Sequence, residues 1–256
     1  YFYSGDQGRH PAWGSRCFNY GKTQTLAFLL SNCKFWSDEY KLDGFRFDGV
    51  TSMMYWNHGL GKDFVGYDPY FDGGVDESAV TYLALANMLI KEANPDAVTI
   101  AEDVSGMAGL AAPFEMSMGV ADNWIKWIKE IPDQDWSVGE MWWQLTNKRA
   151  DEGTVSYAEC HDQAMVGDKT LIFRLIDSEM YTSMHKESVS AVVDRGIALH
   201  QMIRLVTMAT AGNGYLCCMG NEFGHPEWID FPRAGNGWSY KYARRQWSLM
   251  KADYLR

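Results

Sequence analysis

Apolar residues recur along this chain with two spacings, one typical of helices and one typical of strands. Spacings of three or four residues indicate helices in four segments: 26–36, 76–93 with Asp76 as its N-cap, 124–129, and a segment that Asp194 caps and that runs to 206. Short apolar runs indicate strands in four segments: 43–50, 97–102, 154–157 and 215–219. Strands thus alternate with helices, which favours an α/β fold with a parallel sheet and helices outside it.

The predicted strand over 43–50 shows regular alternation of polar and apolar residues. An extended backbone directs Arg46 and Asp48 to one face and Phe45 and Phe47 to the other. A guanidinium two residues from a carboxylate keeps that acid ionised and oriented. Asp48 is therefore a candidate nucleophile or a stabiliser of positive charge. A structural salt bridge with Arg46 is the alternative.

Polar residues also follow other predicted strands. Glu102 ends the strand over 97–102, and His161 and Asp162 follow the strand over 154–157. Acids after several different strands are typical of a closed (β/α)8 barrel, whose sites are built at strand ends. An open doubly wound sheet is the alternative, although the chain has no GxGxxG or GxxxxGK[ST] loop of the kind that binds phosphates in such sheets.

Three carboxylates after three strands point to a shared reaction. Cleavage of a glycosidic bond with retention uses one carboxylate as nucleophile and a second carboxyl as acid and then base, about 5–5.5 Å from the first. Asp48, Glu102 and Asp162 form a trio of acids that suits these two roles and a third one, the stabilisation of the oxocarbenium-like charge. The alternatives are an ion pair for Asp48, a helix N-terminal acid for Glu102, and a turn residue for Asp162 beside a core histidine.

Length and charge narrow the class of protein. The 256 residues, of which 46% are hydrophobic, suffice for one large α/β domain or barrel, or for two small domains. The net charge of −10 argues against a nucleic-acid partner, because there is no basic field to attract phosphates. No apolar run is long enough to span a bilayer, so we expect no membrane partner.

Aromatic residues and cysteines add to this picture. The 11 Trp and 14 Tyr are compatible with a carbohydrate ligand, because their flat apolar faces stack on sugar rings, although we expect most of them in the core. The five cysteines have no CxxC spacing, which predicts reduced thiols in an intracellular protein. Neither Cys nor His falls at zinc-ligand intervals. We predict no metal and no cofactor.

Several strings of residues carry a resemblance to a known family. The strings 44–48 (GFRFD), 101–106 (AEDVSG) and 159–163 (ECHDQ) resemble successive signature segments of the α-amylase superfamily. Within it the chain is similar to the 1,4-α-glucan branching enzymes of glycogen and starch synthesis. The strings that carry this narrower resemblance are DGVTSM at 48–53, IAEDVSGM at 100–107, HDQAMVGDK at 161–169 and MGNEFGHPEW at 219–228.

The resemblance implies a fold and a set of roles. Residues 1–256 resemble a partial (β/α)8 TIM barrel, namely strands 4 to 8 with their helices. Asp48 matches the family's nucleophile, Glu102 its general acid/base and Asp162 its transition-state stabiliser. Arg46 matches the partner of the nucleophile, and His161 lies beside the stabiliser. Both are expected to bind substrate.

Two further residues follow the last predicted strand. Glu222 and His225 lie where the rim of a barrel is expected, so we predict that they line the substrate groove. A structural loop is the alternative reading of this segment.

The implied activity is cleavage of α-1,4 links and formation of α-1,6 branches. Its substrate is an α-1,4-glucan such as amylose, glycogen or starch, and the expected location is the cytoplasm, or a plastid in a plant or alga. Two alternatives stay open: an α-glucan hydrolase of the same superfamily, and a non-catalytic glucan-binding fragment.

The chain also departs from the family pattern. The family's N-terminal carbohydrate-binding β-sandwich, its first three barrel strands and its C-terminal β-sandwich are not represented in 1–256. Between Pro113 and Met118 the family's glycine-rich loop is shortened to four residues. We therefore expect this polypeptide alone to be unstable or inactive, because an incomplete barrel leaves sheet edges exposed.

Overall fold

A computed structural model describes residues 1–110, 114, 116–118, 122–165 and 169–255. They form two compact units, one of Tyr1–Gly119 with Arg149–Val155 and one of Val120–Lys148 with Ser156–Arg256. The shortened loop expected between Pro113 and Met118 lies outside the described residues, apart from Phe114 and the backbone of 116–118.

The first unit contains a small hairpin, parallel strands and helices. Its elements in chain order are β1 (Arg9–His10), β2 (Ser15–Arg16), α1 (Thr23–Tyr40), β3 (Gly44–Phe47), α2 (Val50–Met54), α3 (Asp68–Phe71), α4 (Glu77–Ala93), β4 (Val98–Glu102), β5 (Met116–Met118) and β6 (Gly153–Ser156), whose last residue belongs to the second unit. A 3₁₀ turn at Gly5–Gly8 precedes the hairpin. The predicted helices over 26–36 and 76–93 and the strand over 97–102 are confirmed.

Strands β3, β4, β5 and β6 pair in parallel in that order. In the first pair Phe47 lies opposite Ala101, so the next residues, Asp48 and Glu102, come at the same edge of the sheet. The pairs found among the described strands form an open row and do not close into a barrel. An α/β fold with a parallel sheet is confirmed to that extent.

Helix α4 packs its apolar face into the core of the first unit. Leu83, Ala86 and Ile90 are at most 1% exposed and join Met54 and Ala101 in one cluster. Asp76 is the N-cap, as predicted, because its Oδ1 accepts hydrogen bonds from the amides of Ser78 and Ala79. These bonds satisfy amides that a helix start leaves without partners.

The second unit is mostly helical. Its elements are α5 (Asp122–Glu130), α6 (Val138–Thr146), α7 (His161–Met165), α8 (Leu171–Ile176), α9 (Ala191–Ala209) and β7 (Gly214–Tyr215), with 3₁₀ turns at Asp133–Asp135, Asp177–Tyr181, Asn221–Phe223, Ala234–Asn236 and Trp247–Lys251. Trp124, Leu171 and Ile203 form the centre of its core. The indole of Trp124 donates to Thr207 Oγ1 at 2.9 Å. The predicted helix over 124–129 is confirmed.

Two element boundaries, at the end of the first strand and at the start of α9, differ from the sequence predictions. The first strand ends at Phe47 and not at residue 50, because Gly49 has a φ of 62° and Val50 begins α2. Helix α9 is capped by Ser190, whose Oγ accepts from the amide of Val193, while the predicted cap Asp194 lies in its first turn. The side chains of serine and aspartate both accept hydrogen bonds from the unpaired amides at a helix start, so the residue type alone did not show which of the two is the cap.

The last strand is also shorter than predicted. Of the apolar run over 215–219, only Tyr215 is in a strand, and the amide of Leu216 donates to Ser156 O at 2.9 Å. A turn follows, in which the amide of Asn221 donates to Cys218 O and Gly220 has a φ of 95°. Met219 is 66% exposed, so this part of the run is not a buried strand.

The five cysteines, all of them among the described residues, form no disulfide, with Cys33 and Cys160 buried and Cys217 exposed. None of the helices in the described ranges combines the length and apolarity that a bilayer crossing needs.

Candidate active site

The candidate acids of the first unit lie at the ends of two neighbouring parallel strands. Arg46 connects them: its guanidinium forms an ion pair with Asp48 Oδ1, and its Nη2 lies 3.5 Å from Glu102 Oε2. On the opposite face, Phe47 packs edge-on against Phe114 with ring centroids 5.2 Å apart. The alternation predicted for this strand is therefore confirmed.

The turn after β3 holds Glu102 as well. The amide of Gly49 donates to Glu102 Oε2 at 2.6 Å. The side chain of Asp48 is 70% exposed, whereas that of Glu102 is 20% exposed. Asp48 thus faces solvent, whereas Glu102 is mostly covered and is held by contacts to its Oε2 atom.

Sequence reasoning did not identify Asp103, which follows Glu102. This carboxylate is buried, and its Oδ1 accepts from Thr51 Oγ1 at 2.6 Å and from the amide and hydroxyl of Ser105 at 3.1 and 2.8 Å. Its Oδ2 accepts from the amide of Gly106 at 2.8 Å. Asp103 thereby ties the loop after β4 to α2, the helix that follows Asp48. The D-x-S-G string was the available signal, because Asp side chains often bond amides two residues on.

A small pocket opens beside Asp48. It has a volume of about 120 Å³, and its walls include Asp48, Gly49, Ser52, His10 and Trp13. Sequence reasoning missed His10 and Trp13, because only the turn between β1 and β2 brings them to the end of β3.

The buried His10 is neutral in this arrangement. Its Nδ1 accepts from the amide of Trp13 at 3.1 Å, and its Nε2 lies 3.2 Å from Ser52 Oγ. The imidazole of His58 lies 4.8 Å away, centroid to centroid. Burial lowers the pKa of His10, and the neighbouring His58 lowers it further. The ring therefore acts as a fixed hydrogen-bonding element near neutral pH.

His161 and Asp162 are in the second unit, where they begin α7. His161 Nε2 lies 3.1 Å from Asp162 Oδ1, and the Cys160 thiol lies 3.4 Å from Asp162 Oδ2. Both site side chains are partly exposed, at 47% and 38%. In the described residues, Cys160, His161 and Asp162 form one group whose ligand atoms lie close enough, within 4.8 Å, to hold a metal ion. The expected absence of a metal stays a prediction.

A buried ion pair supports this segment. Glu159 accepts hydrogen bonds from Arg204 Nη2 and from the amide of Leu171, both at 2.8 Å, and His200 Nε2 lies 3.8 Å away. Burial alone would raise the pKa of Glu159, but its hydrogen bonds and the charge of Arg204 lower it overall. Glu159 is thus held ionised two residues before His161.

The two other predicted residues also lie in the second unit. Glu222 Oε2 accepts from the amide of Gly220 at 2.8 Å, and Glu222 lines a cavity of about 310 Å³ with His200 and Arg204. His225 is 3% exposed, and its ring nitrogens bond Glu227 O and the amide of Gln246. Such a fully bonded ring is typical of a structural histidine.

Comparison with curated proteins finds close relatives along the whole chain. A 1,4-alpha-glucan-branching enzyme of Rhizophagus irregularis is 54% identical over 267 aligned residues, which cover 100% of this chain. The enzyme of the same name from Equus caballus is 54% identical, and the chloroplastic/amyloplastic enzyme of Oryza sativa subsp. japonica is 51% identical, again over 100% of this chain. Along its whole length the chain is therefore similar to 1,4-α-glucan branching enzymes. No family model matches it.

The chain spans less than half of the length of these curated relatives. The matched regions are 39%, 38% and 33% of the lengths of the three relatives. The relatives' names state that they act on 1,4-α-glucan. Asp48, Glu102 and Asp162 all fall within the aligned region, because the alignment covers the whole chain.

Comparison with solved structures supports the fold. An α-amylase of Lactobacillus plantarum matches 89% of this chain and 46% of its own length with a TM-score of 0.52, at 14% identity. Amy13B of Eubacterium rectale matches 85% of this chain and 37% of its own length with a TM-score of 0.55, at 12% identity. The chain therefore shares part of the fold of these two proteins.

Proposed function

We propose that this chain carries the catalytic centre of a 1,4-α-glucan branching transferase that works by a retaining double displacement. The observation that carries the proposal is the contact of one guanidinium, that of Arg46, with two carboxylates at adjacent strand ends. The identity of about half of all residues to branching enzymes, along the whole chain, gives the reaction class. The chain is inferred to supply strands 4 to 8 of a (β/α)8 barrel.

In the first step Asp48 attacks the anomeric carbon of an α-1,4 link. Its exposure leaves it accessible to a sugar, and the ion pair with Arg46 orients its carboxylate. Glu102 donates its proton to the leaving oxygen. The contacts from Arg46 and Gly49 both use Oε2, so Oε1 is the oxygen assigned to the proton.

In the second step a glucan 6-hydroxyl resolves the covalent intermediate. Glu102 takes the proton of that hydroxyl, and the new bond is an α-1,6 link with retained configuration. Asp162 stabilises the oxocarbenium-like charge in both steps, and His161 beside it binds the sugar. That Glu222 and His225 line the substrate groove stays a prediction. That the catalytic domain extends over 1–256 also stays a prediction.

The proposed substrate is an α-1,4-glucan such as amylose, glycogen or starch, with no nucleic acid, membrane or cofactor involved. The compartment, cytoplasm or plastid, stays a prediction.

The test incubates the full-length protein with amylose and follows two quantities, the iodine–amylose colour and the number of reducing ends. A branching transferase lowers the iodine–amylose colour without new reducing ends, whereas a hydrolase creates reducing ends. Asp48→Asn is expected to lose at least about 10³-fold in turnover. Unchanged turnover of that variant would remove the nucleophile assignment. A protein that binds maltoheptaose without changing colour or reducing ends is a binding protein.

A further inference from the structure

Trp13 lies at the tip of the turn between β1 and β2, beside the candidate nucleophile. The turn is closed by a hydrogen bond of 2.8 Å from the amide of Gly14 to His10 O, and the amide of Trp13 donates to His10 Nδ1 at 3.1 Å. The indole stacks on the imidazole of His10 with centroids 4.0 Å apart and an interplanar angle of 10°. Backbone and side chain of Trp13 are therefore both held in place.

The same indole lies against the turn that follows Asp48. A Cβ atom built on Gly49 would lie 3.0 Å from Trp13 Cη2 and 3.2 Å from Cζ3, so the ring packs close to the glycine backbone. The φ of 62° at Gly49 also favours glycine there. This close approach places the indole next to the Asp48 backbone.

Despite this fixed position, Trp13 is 60% exposed. The stacked histidine orders this indole, yet most of the ring faces solvent. The ring therefore contributes little buried area to the fold. Such a rigid, open aromatic face is what a ligand with an apolar face needs. The C–H face of a pyranose is such a surface, and its hydroxyls then point to polar groups.

The pocket provides those polar groups. Trp13 and Asp48 line the same cavity of about 120 Å³, and Gln7, Ser15 and Arg16 line it as well. A sugar ring on the indole thus has hydrogen-bonding side chains around it and the candidate nucleophile within the same pocket.

We propose that Trp13 is a stacking platform for a glucosyl residue of the α-glucan, next to the bond that Asp48 attacks. This inference rests on the proposed function for its choice of sugar. Because stacking stabilises the bound substrate and the transition state alike, its loss acts on KM and leaves kcat nearly unchanged.

The experiment compares Trp13→Ala and Trp13→Phe in the full-length protein. Trp13→Ala is expected to raise KM for amylose about tenfold with kcat within about twofold, and Trp13→Phe to give a smaller rise. Trp142→Ala is the matched control, because Trp142 on α6 is similarly exposed, at 62%, and is expected to keep the KM of the unmodified protein. A KM of Trp13→Ala within twofold of the unmodified protein overturns the proposal.

A binding measurement on the protein with Trp13 in place separates this proposal from the proposed function. The protein is labelled with 5-fluorotryptophan, the Trp13 signal is assigned by its loss in Trp13→Phe, and maltoheptaose is added. A shift of the Trp13 signal supports the platform even where no branching is seen. Branching without a shift keeps the proposed function and overturns the platform, and neither shift nor branching overturns both.

Discussion

The backbone amide of Gly49 donates a hydrogen bond of 2.6 Å to the Oε2 atom of Glu102. The turn that follows the candidate nucleophile thereby binds the candidate acid/base of the next strand. The bond exists because β3 and β4 are parallel and Phe47 lies opposite Ala101. The two carboxylates are thus positioned by the register of one strand pair and by the guanidinium of Arg46.

Arg46→Lys is expected to lower kcat by about a hundredfold, with a small change in KM. The planar guanidinium contacts Asp48 and Glu102 with different nitrogens, and an ammonium cannot reproduce this fork. Steady-state kinetics of branching measure the effect, which we expect to match the loss of one positioned donor at an active site. Arg149→Lys, at an exposed ion pair with Glu152, is the control. An Arg46→Lys variant within threefold of the control would show that the fork is dispensable.

Thr51→Val is expected to lower the free energy of unfolding by about 1–3 kcal/mol. The hydroxyl donates to buried Asp103 at 2.6 Å and accepts from the amide of Val104 at 2.9 Å. Valine therefore removes one of the hydrogen bonds of Asp103 and the acceptor of the Val104 amide. Urea denaturation gives the value. Thr81→Val on the exposed face of α4 removes a hydroxyl that bonds its own helix, and it is expected to change stability by less than about 0.5 kcal/mol. Equal losses in both variants would contradict the role given to Asp103.

Stability is expected to fall as the pH drops below about 6.5, in part because of His10. Burial, followed by the charge of His58, lowers the pKa of His10 in the folded protein. The unfolded chain then binds more protons in acid, so the stabilisation is complete above the unfolded pKa and is lost as the pH falls from it through the folded pKa.

Urea denaturation at pH 7.5 and pH 5.5 tests this dependence. His10→Gln should lose less stability between the two values than the unmodified protein, whereas His185→Gln, at an exposed histidine, should lose as much. An unchanged pH dependence in His10→Gln would contradict the prediction. His225, whose pKa burial and Arg245 lower, contributes with the same sign in the second unit.

Arg204→Met is expected to destabilise the second unit by about 3–5 kcal/mol, because it leaves the buried carboxylate of Glu159 without its cation. The double variant Glu159→Gln/Arg204→Met removes the charge as well and should recover part of the loss. Thermal unfolding of both single variants and the double variant completes the cycle. A double variant that loses the sum of the two single losses would show that the two residues do not interact.

Local patterns predicted much of this protein correctly. Alternation in 43–50 placed Arg46 and Asp48 on one face, since side chains of a strand point to opposite sides in turn. Asp76 was identified as a helix cap because the cap acts on amides two and three residues away. The cap of α9 was wrongly assigned to Asp194 because Asp194 and Ser190 are both residue types that cap helices. The strand over 215–219 was predicted too long because its apolar run continues past the point where the strand ends.

The sequence by itself determined the α/β alternation, the acids at strand ends and the resemblance to branching enzymes, because each depends on residues close together in the chain or on strings of them. Only the tertiary structure decided that Gly49 binds Glu102, that Thr51 satisfies Asp103, and that Trp13 stacks on His10 beside Asp48. The first two contacts join residues 53 and 52 positions apart, and the third matters because the fold brings the hairpin of His10 and Trp13 to the end of β3. They follow from strand register and packing, which no local spacing of polar and apolar residues specifies.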